Sequence, residues 1–241
     1  FFAMDQASAE SRIVAYLAEA GQYRRILELG ASHHVYTALQ LFPDLFGDKY
    51  MSKPIDDIFG DYKDINANVR ANKLAYATAK MVNHASNYGV GGRELAINML
   101  EKSKGSIAVS AKDATMFRRV YDATYPEIVV WRERTKRQVK DTRILRNLFD
   151  YPRVFNQHFT EPYLKEALSF IPQSTVGTLN NLVHTELQEH IGSNRLKWNI
   201  LLNTHDSLMI EIPKEDIDMA RFAMTQLYHS HKFTSPADGT T

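Results

Sequence analysis

The stretch Leu201-Leu202-Asn203-Thr204-His205-Asp206-Ser207-Leu208-Met209-Ile210-Glu211-Ile212 indicates the fold. Its flanks, residues 199–203 and 208–212, are rich in Ile and Leu, and their alternation predicts the two strands of a β-hairpin. A carboxylate at the tip of an apolar strand pair is costly unless something compensates its charge. Asp206 is therefore either an ordinary polar turn residue or a ligand held at a defined point on a sheet.

A second carboxylate has a comparable position, because Asp5 ends a short apolar strand predicted at residues 1–4. Two strand-end aspartates on one sheet can share two divalent metal ions about 3.5–4 Å apart, and such a pair of ions supports in-line phosphoryl transfer. Asp5 and Asp206 together therefore predict a metal-dependent site at the edge of a small antiparallel sheet.

The composition limits the possible classes of function. The chain has 241 residues, enough for one large domain or two small ones, and its net charge of +1 indicates no particular partner. It contains no cysteine, which excludes disulfides, thiolate catalysis and cysteine-based zinc sites. We expect no membrane partner, because no apolar run approaches the roughly 20 residues that a membrane span needs.

Helices are expected to outnumber strands. Apolar periodicity predicts helices at about residues 7–19, 23–29, 33–42, 68–86, 93–102, 111–141, 175–191 and 215–229, with a bend before Pro126. Residues 43–66 are rich in Pro, Gly and Asp and predict a loop region. Residues 145–155 predict a short hairpin, and we expect the few strands to form one antiparallel sheet.

Two further motifs accompany the aspartates. Asp5-Gln6-Ala7-Ser8-Ala9-Glu10-Ser11-Arg12 follows the first strand, and Lys80-Met81-Val82-Asn83-His84-Ala85-Ser86-Asn87-Tyr88-Gly89 ends a predicted helix. Residues three or four apart share one face of that helix, and this face holds Lys73, Tyr76, Lys80, His84, Asn87 and Tyr88. A face that is polar and aromatic in this way suits a triphosphate better than a protein core.

Together the motifs resemble the C-terminal palm and fingers portion of family A DNA polymerases, in the version found in bacteriophages. The resemblance covers nearly the whole chain, with three motifs in the expected order. It implies an α+β fold in which helix-rich fingers stand on the small antiparallel-sheet palm of a right-hand polymerase, with the thumb absent. The implied division is palm at residues 1–42, fingers at 43–142 and palm again at 143–241.

The resemblance implies template-directed DNA synthesis, in which a primer 3′-hydroxyl accepts a nucleotide from a deoxynucleoside triphosphate. Asp5, Asp206 and the backbone carbonyl of Gln6 would bind two Mg²⁺ ions, with Mn²⁺ as an alternative. Lys80 would be catalytic, since it would bind the phosphates and protonate the pyrophosphate leaving group. Glu10 would exclude a 2′-hydroxyl, although a charge in a first helical turn is also its ordinary structural role.

Other residues take their roles from the same resemblance. The nucleotide would contact Gln6, Glu10, His34, Lys73, Lys80, His84 and Tyr88, and Tyr88 would also hydrogen-bond Glu10. The DNA would contact Gln173, His205, Arg132, Lys136 and Arg143. The last three belong to residues 132–146, where seven basic and two acidic side chains leave an excess of +5. Such a run could follow a phosphate backbone or form a solvated helix face.

The chain departs from the family pattern at two positions of the same helix. Most relatives carry a phosphate-binding arginine where this chain has Tyr76, and Lys73 or Arg70 would then supply the missing charge. His84 stands where many relatives have an aromatic ring, and the pattern Asn-His-x-x-Asn-Tyr-Gly around it resembles the phage branch. We therefore expect a phage-encoded protein that acts in the host cytoplasm.

Two alternatives remain open. A single-subunit RNA polymerase shares the Lys…Tyr-Gly and His-Asp-Ser elements, but Glu10 would crowd its ribonucleotide substrate. A truncated or split polymerase fragment would bind primer-template DNA and depend on a chain that carries the thumb or exonuclease, or on a processivity factor. The expected partners of the synthetic reaction are primer-template DNA and deoxynucleoside triphosphates.

Overall fold

A computed structural model of the protein describes residues 1–50, 53–58, 60 and 62–239. Its strands are β1 (Phe2–Asp5), β2 (Ile144–Arg146), β3 (Pro152–Val154), β4 (Asn199–Asn203) and β5 (Ser207–Glu211). Its helices are α1 (Ala9–Leu17), α2 (Gln22–Glu28), α3 (His33–Leu41), α4 (Pro43–Phe46), α5 (Ile55–Ile58), α6 (Tyr62–Ala71), α7 (Lys73–Asn87), α8 (Gly92–Lys102), α9 (Ala111–Thr124), α10 (Pro126–Thr142), α11 (Glu161–Ser193) and α12 (Ile217–Ser230). The predicted α+β class, rich in helix with small antiparallel sheets, is confirmed.

The hairpin around Asp206 is present and extends into a three-stranded antiparallel sheet. Its order is β1-β5-β4, so β5 lies between the other two strands. Met4 pairs with Leu208 and Asp5 with Ser207, whereas the β4–β5 register shifts between Ile200 and Leu202. This register places the ends of β1 and β5 side by side at one edge of the sheet.

The prediction of a single sheet is wrong, because β2 and β3 form a separate two-stranded sheet. This hairpin packs against α10 and α11 instead of extending the edge of the first sheet. Leu145, in the middle of β2, is fully buried in the helical core. Contacts with two helices therefore fix the hairpin in place.

Helix α11 is much longer than predicted, with 33 residues and Pro172 inside it. Proline removes a backbone donor and usually interrupts a helix, which is why the sequence predicts a start near residue 175. In the structure Leu168, Ile171 and Pro172 are all buried, and the Thr175 hydroxyl donates to the Ile171 carbonyl at 2.7 Å. Packing on this segment therefore outweighs the local cost of the proline.

The predicted loop and the helix predicted after it also differ from the structure. Residues 43–66 contain α4, α5 and the start of α6, so this region is not simply a loop. One predicted helix at 68–86 is two, α6 and α7, and Asn72 caps the second by accepting from the Ala75 backbone at 3.1 Å. The bend before Pro126 is confirmed, since α9 ends at Thr124 and α10 begins at Pro126.

Two hydrophobic clusters hold the described residues together. The larger one joins buried side chains between Val14 and Ile171, and the smaller one lies between the three-stranded sheet, the end of α11 and α12. The larger cluster crosses the predicted boundaries after residues 42 and 142, so the palm and fingers division remains a prediction. In the described part of the chain, no helix combines the length and the apolar character that a membrane crossing needs.

Candidate active site

The two predicted metal ligands lie at the adjacent ends of neighbouring strands, Asp5 in β1 and Asp206 in the turn just before β5. Asp5 is the last residue of β1 and pairs with Ser207, the first residue of β5, so that Asp206 lies directly beside this pair. The backbone N–H of Gln6 donates to the Asp206 carbonyl at 2.9 Å, which ties the two strand ends together. Asp5 is exposed and Asp206 half-buried, so both are placed at a solvent-accessible rim.

The donor chemistry of this rim fits a magnesium ion that keeps other ligands. Among the described residues, no three His, Cys, Asp or Glu side chains lie together closely enough to hold a metal. The rim supplies two carboxylates and the Gln6 carbonyl, which accepts a hydrogen bond from Ala9 at 3.2 Å and retains a second lone pair. Mg²⁺ prefers oxygen ligands and is often held by one or two carboxylates beside water and substrate phosphates.

A single buried amide lies beneath this rim. Asn180, on α11, is fully buried, and its Nδ2 donates to Asn203 Oδ1 and the Thr204 carbonyl at 2.6 Å, with the Ser207 carbonyl at 3.2 Å. Its Oδ1 accepts from the Gln6 side chain at 3.3 Å. The amide therefore contacts the segments that carry both aspartates.

Tyr228, on α12, completes this set of contacts. Its hydroxyl donates to Asn180 Oδ1. Burial raises the pKa of Tyr228 to about 12, the Gln6 hydrogen bond opposes the increase, and the charges of Asp206 and Asp5 add to it. The phenol therefore stays protonated at neutral pH and remains a donor, and both carboxylates lie close enough to affect it.

The predicted nucleotide-binding face of α7 borders an open cleft. The cleft has a volume of about 660 Å³, and its wall includes Lys80 and His84 of α7 and Tyr88, which directly follows that helix. Helix α11 also lines the cleft, with residues that include Lys165 and Gln173. The structure thus brings Gln173 into the same cleft as the residues of α7, although 85 or more residues separate them in sequence.

Glu10 joins three segments of the site. The Tyr88 hydroxyl donates to its carboxylate, as the sequence predicts, and His205 Nε2 lies 3.5 Å from Glu10 Oε1. Burial raises the pKa of Tyr88 above its ordinary value, and the negative charge of Glu10 raises it further, so the phenol stays protonated. Ser8, in the left-handed region with φ 55°, makes the turn that sends the chain from β1 into α1 just before Glu10.

A second group of residues lies toward the other end of α7. The ring centroids of His34 and Tyr76 are 6.1 Å apart, and the Arg70 guanidinium lies over the Tyr76 ring at 4.7 Å. Burial lowers the pKa of His34 to about 3, and the positive charges of Lys80, His84 and Arg70 contribute. His34 is therefore neutral at physiological pH, and Lys80 and Arg70 are the cations near it.

Not every residue of the predicted α7 face points into the cleft. Asn87 is 2% exposed, donates to the Tyr23 hydroxyl at 3.1 Å and accepts from Tyr121 at 2.5 Å. Asn83, one turn nearer the amino terminus, is also buried, and its side-chain oxygen accepts from the Thr37 hydroxyl at 3.1 Å. These two amides anchor α7 to the core, which corrects the placement of Asn87 on the nucleotide face.

The basic run of α10 does not form a continuous DNA-binding stripe. Arg132 is 2% exposed, and its guanidinium donates to the Ser86 carbonyl at 2.6 Å and to Asp122 at 2.5 Å. Arg132 therefore has a structural role and is removed from the DNA-binding set. Lys136 pairs with Glu133 at 2.9 Å, and Arg143 remains exposed at the end of the helix.

Sequence reasoning missed Asn180 and Tyr228. The available signal for Asn180 was its spacing, because it falls among Val176, Leu179 and Val183 on an apolar helical face where an amide must find partners. No such signal identifies Tyr228, since a tyrosine on an amphipathic helix is ordinary. Lys73 lies exposed in the first turn of α7, about 10 Å along the helix from Lys80.

Comparisons with known proteins agree with this geometry. The chain is 24% identical to the DNA polymerase I of Geobacillus stearothermophilus over 223 residues, which are 90% of this chain and 22% of that protein. It is 23% identical to the DNA polymerase I of Caldicellulosiruptor bescii, over 90% of this chain and 23% of that protein. The chain thus spans about a fifth of the length of these curated relatives.

The fold also matches a solved structure, that of the POL domain of Pol1 from M. smegmatis in complex with DNA primer-template and dNTP. The TM-score is 0.72 at 16% sequence identity, and the match covers 96% of this chain and 37% of that chain. The sequence profile of DNA polymerase family A matches residues 54–236, which is more than half of the chain. The chain therefore belongs to DNA polymerase family A.

Proposed function

We propose that this chain carries out template-directed DNA synthesis, in which a nucleotide passes from a deoxynucleoside triphosphate to a primer 3′-hydroxyl. The observation that carries the proposal is the placement of Asp5 and Asp206 at one rim, joined by the Gln6–Asp206 backbone bond of 2.9 Å. Family membership supports the reaction type. The activity is a proposal because the chain covers only 22% of the length of the Geobacillus stearothermophilus relative.

The rim has a defined part in the proposed reaction. Asp5, Asp206 and the Gln6 carbonyl would hold two Mg²⁺ ions, or Mn²⁺, and ions held in this way lower the pKa of an attacking hydroxyl and stabilise a leaving oxygen. The two carboxylates lie at an accessible edge, where a primer terminus and a triphosphate can approach from solvent. The rigid sheet beneath them keeps the two carboxylates in register.

The cleft beside α7 is the proposed nucleotide site. Lys80 is exposed at its wall and would bind the phosphates, from where its ammonium can donate a proton to the departing pyrophosphate. His34 would donate one neutral imidazole N–H to a phosphate oxygen, since burial keeps it uncharged. Arg70, held against Tyr76, supplies the guanidinium that most family members place on α7 itself, with Lys73 as a further cation.

The sugar and base of the nucleotide would lie closer to the other end of α7. Glu10 is bound by Tyr88 and stands next to His205, so its carboxylate has little freedom to make room for a 2′-hydroxyl. His84 and Tyr88 meet edge to face with ring centroids 5.7 Å apart and border the same cleft. This arrangement supports selection of a deoxyribonucleotide and disfavours the single-subunit RNA polymerase alternative.

Primer-template DNA is the proposed macromolecular partner. Gln173 lines the cleft from α11 and His205 is exposed at the tip of the hairpin, so both can reach a duplex that ends at the rim. Lys136 and Arg143 are the members of the α10 region retained as proposed phosphate contacts. The Asn83-His84 and Asn87-Tyr88-Gly89 pattern supports a bacteriophage lineage for the enzyme.

Primer extension tests the proposed function. The purified chain is incubated with a short primed template, deoxynucleotides and Mg²⁺ at low salt, because phosphate contacts weaken steeply as salt rises. We expect extension by the wild-type chain and none by Asp206→Ala. Asp218→Ala, which removes an exposed aspartate of α12 with a 93% exposed side chain, is the matched control and should extend normally. Equal extension by Asp206→Ala would contradict the proposal.

A further inference from the structure

The amide of Asn180 is saturated by groups that belong to the two metal-binding segments. An asparagine amide offers two N–H donors, and here three acceptors lie within hydrogen-bond distance: Asn203 Oδ1 and the Thr204 carbonyl at 2.6 Å and the Ser207 carbonyl at 3.2 Å. Its oxygen accepts two more bonds, from Gln6 and Tyr228. Few residue types could replace this amide, because the position needs donors and an acceptor at once.

The hydrogen-bond partners of Asn180 include close sequence neighbours of both aspartates. Thr204 and Ser207 close the turn that contains Asp206, since the Thr204 N–H donates to the Ser207 carbonyl at 2.9 Å. Gln6 directly follows Asp5. Asn180 therefore holds both closing residues of one carboxylate's turn and the neighbour of the other carboxylate.

The contacts form a closed ring. The Gln6 N–H donates to the Asp206 carbonyl at 2.9 Å, and Ser207 is the next residue in the chain. The Ser207 carbonyl accepts from Asn180 Nδ2 at 3.2 Å, and Asn180 Oδ1 accepts from the Gln6 side chain at 3.3 Å, which closes the ring. Because Asn180 is 0% exposed, water does not compete for these bonds. The ring therefore fixes the distance between the two strand ends more tightly than strand pairing alone.

We propose that Asn180 is a positioning residue for nucleotidyl transfer, which sets the separation of the Asp5 and Asp206 carboxylates through the Gln6 loop and the turn at residues 204–207. This inference rests on the proposed function. Asn180 itself is buried below the rim, and both ends of its amide are hydrogen-bonded to protein groups. It acts on the reaction only through the geometry of the two carboxylates.

Two substitutions test the role. Asn180→Leu keeps the branched shape and the number of side-chain heavy atoms and removes every side-chain hydrogen bond. Asn180→Ser is the second variant, because its smaller side chain leaves room for water if the larger leucine does not allow folding. Asn156→Leu, which makes the same change at an exposed position after β3, is the matched control. Thermal unfolding of each variant defines a temperature at which all of them are folded.

Binding of Mn²⁺ is then measured by electron paramagnetic resonance without DNA or nucleotide, and steady-state primer extension is measured in parallel. We expect Mn²⁺ binding to weaken about tenfold, as when residues behind metal ligands are changed. We expect kcat to fall about 100-fold, since a misplacement near 1 Å can cost that much. The KM for the deoxynucleotide should change less than about threefold, because the α7 cleft is intact.

Other outcomes would overturn the inference. Unchanged Mn²⁺ affinity and kcat in folded Asn180→Ser would show that the amide does not position the carboxylates. If nucleotide affinity fell by the same factor as kcat and thermal stability also fell, Asn180 would have only a structural role. Failure of the proposed function is distinguishable, because the wild-type chain would then bind Mn²⁺ in a manner that depends on Asp206 and yet extend no primer.

Discussion

The hydroxyl of Tyr88, at the end of α7, donates a hydrogen bond to the carboxylate of Glu10, in the first turn of α1. This contact spans 78 residues and connects the helix that borders the cleft to the segment that follows the Asp5 strand. His205, from the turn that carries Asp206, lies 3.5 Å from the same carboxylate. Glu10 therefore connects the proposed nucleotide site with both halves of the metal rim.

Removal of the Glu10 side chain should relax the choice of sugar. In Glu10→Ala, the space that the carboxylate occupies becomes available to a 2′-hydroxyl, so the ratio of ribonucleotide to deoxynucleotide incorporation should rise roughly tenfold or more. Single-nucleotide insertion assays with matched ribo- and deoxynucleotides measure this ratio. Glu189→Ala, which removes an exposed glutamate of α11, is the control and should leave the ratio unchanged. An unchanged ratio in Glu10→Ala would mean that another side chain excludes the ribonucleotide.

Arg70 should contribute to triphosphate binding. Its Nε donates to Asn66 at 2.8 Å and its plane lies over Tyr76, and among the described residues no carboxylate forms an ion pair with it. A charge-assisted hydrogen bond to phosphate at an accessible site is worth about 1.5 kcal/mol, the low end of the range for charged groups. Arg70→Ala should therefore raise the KM for the deoxynucleotide about tenfold, measured by single-nucleotide insertion.

A second substitution distinguishes charge from folding. Tyr76→Arg in the Arg70→Ala background returns a guanidinium to α7 beside the position of Arg70, and we expect it to restore most of the nucleotide affinity. Arg221→Ala, which removes an exposed arginine of α12 with a 62% exposed side chain, should leave the KM unchanged. If Arg70→Ala has the same KM as wild type, Lys73 or Lys80 alone supplies the charge.

Local signals in the sequence were sufficient to predict where the main residues of the candidate site lie on their strands and helices, whereas their roles remain proposals. The strand-end positions of Asp5 and Asp206 and the register of Lys80 with Tyr88 depend on periods of two and 3.6 residues, which hold wherever the element packs. The start of α11 was not predictable in the same way, because Pro172 is a local signal against the helix and only burial against distant residues outweighs it. Tertiary contacts decide such positions.

Whether a charged or amide side chain is buried also depends on partners that are distant in the sequence. Arg132 lies in a run of basic residues, yet its burial follows from Asp122 and the Ser86 carbonyl, which come from two other helices. Asn180 finds its partners just after β1, at the end of β4, in the hairpin turn, at the start of β5 and on α12, 23 to 174 residues away in the chain. A single sequence does not reveal which of many polar residues meet in this way.

His34 should make the protein sensitive to acid. Burial lowers its pKa from 6.5 to about 3, so between these values the unfolded chain binds a proton that the folded chain does not. The contribution of His34 to the unfolding free energy is therefore fully present above about pH 6.5. It declines by about 1.4 kcal/mol per pH unit as the pH falls toward 3. Urea unfolding at several pH values measures this slope.

Comparison of variants isolates the His34 contribution. Between about pH 4 and 6, the slope of unfolding free energy against pH should be smaller in His34→Gln, by nearly the amount that corresponds to one bound proton. His33 still contributes to the slope, because burial also lowers its pKa. His158→Gln, at an exposed position, is the control for loss of a histidine. The same slope in His34→Gln as in wild type would show that His34 is protonated equally in both states.

The contact between α8 and α9 should not tolerate a side chain at Gly92. A Cβ built there would lie 2.1 Å from Thr115 Oγ1 and 2.8 Å from the Thr115 backbone, so the two helices would have to move apart. Gly92→Ala should reduce the unfolding free energy by about 1–3 kcal/mol, as overpacking usually does. Gly192→Ala, inside α11 with nothing within 4 Å, should instead be neutral or stabilising, since alanine favours a helix. Urea unfolding of both variants gives the comparison, and equal effects would show that α8 and α9 can separate without cost.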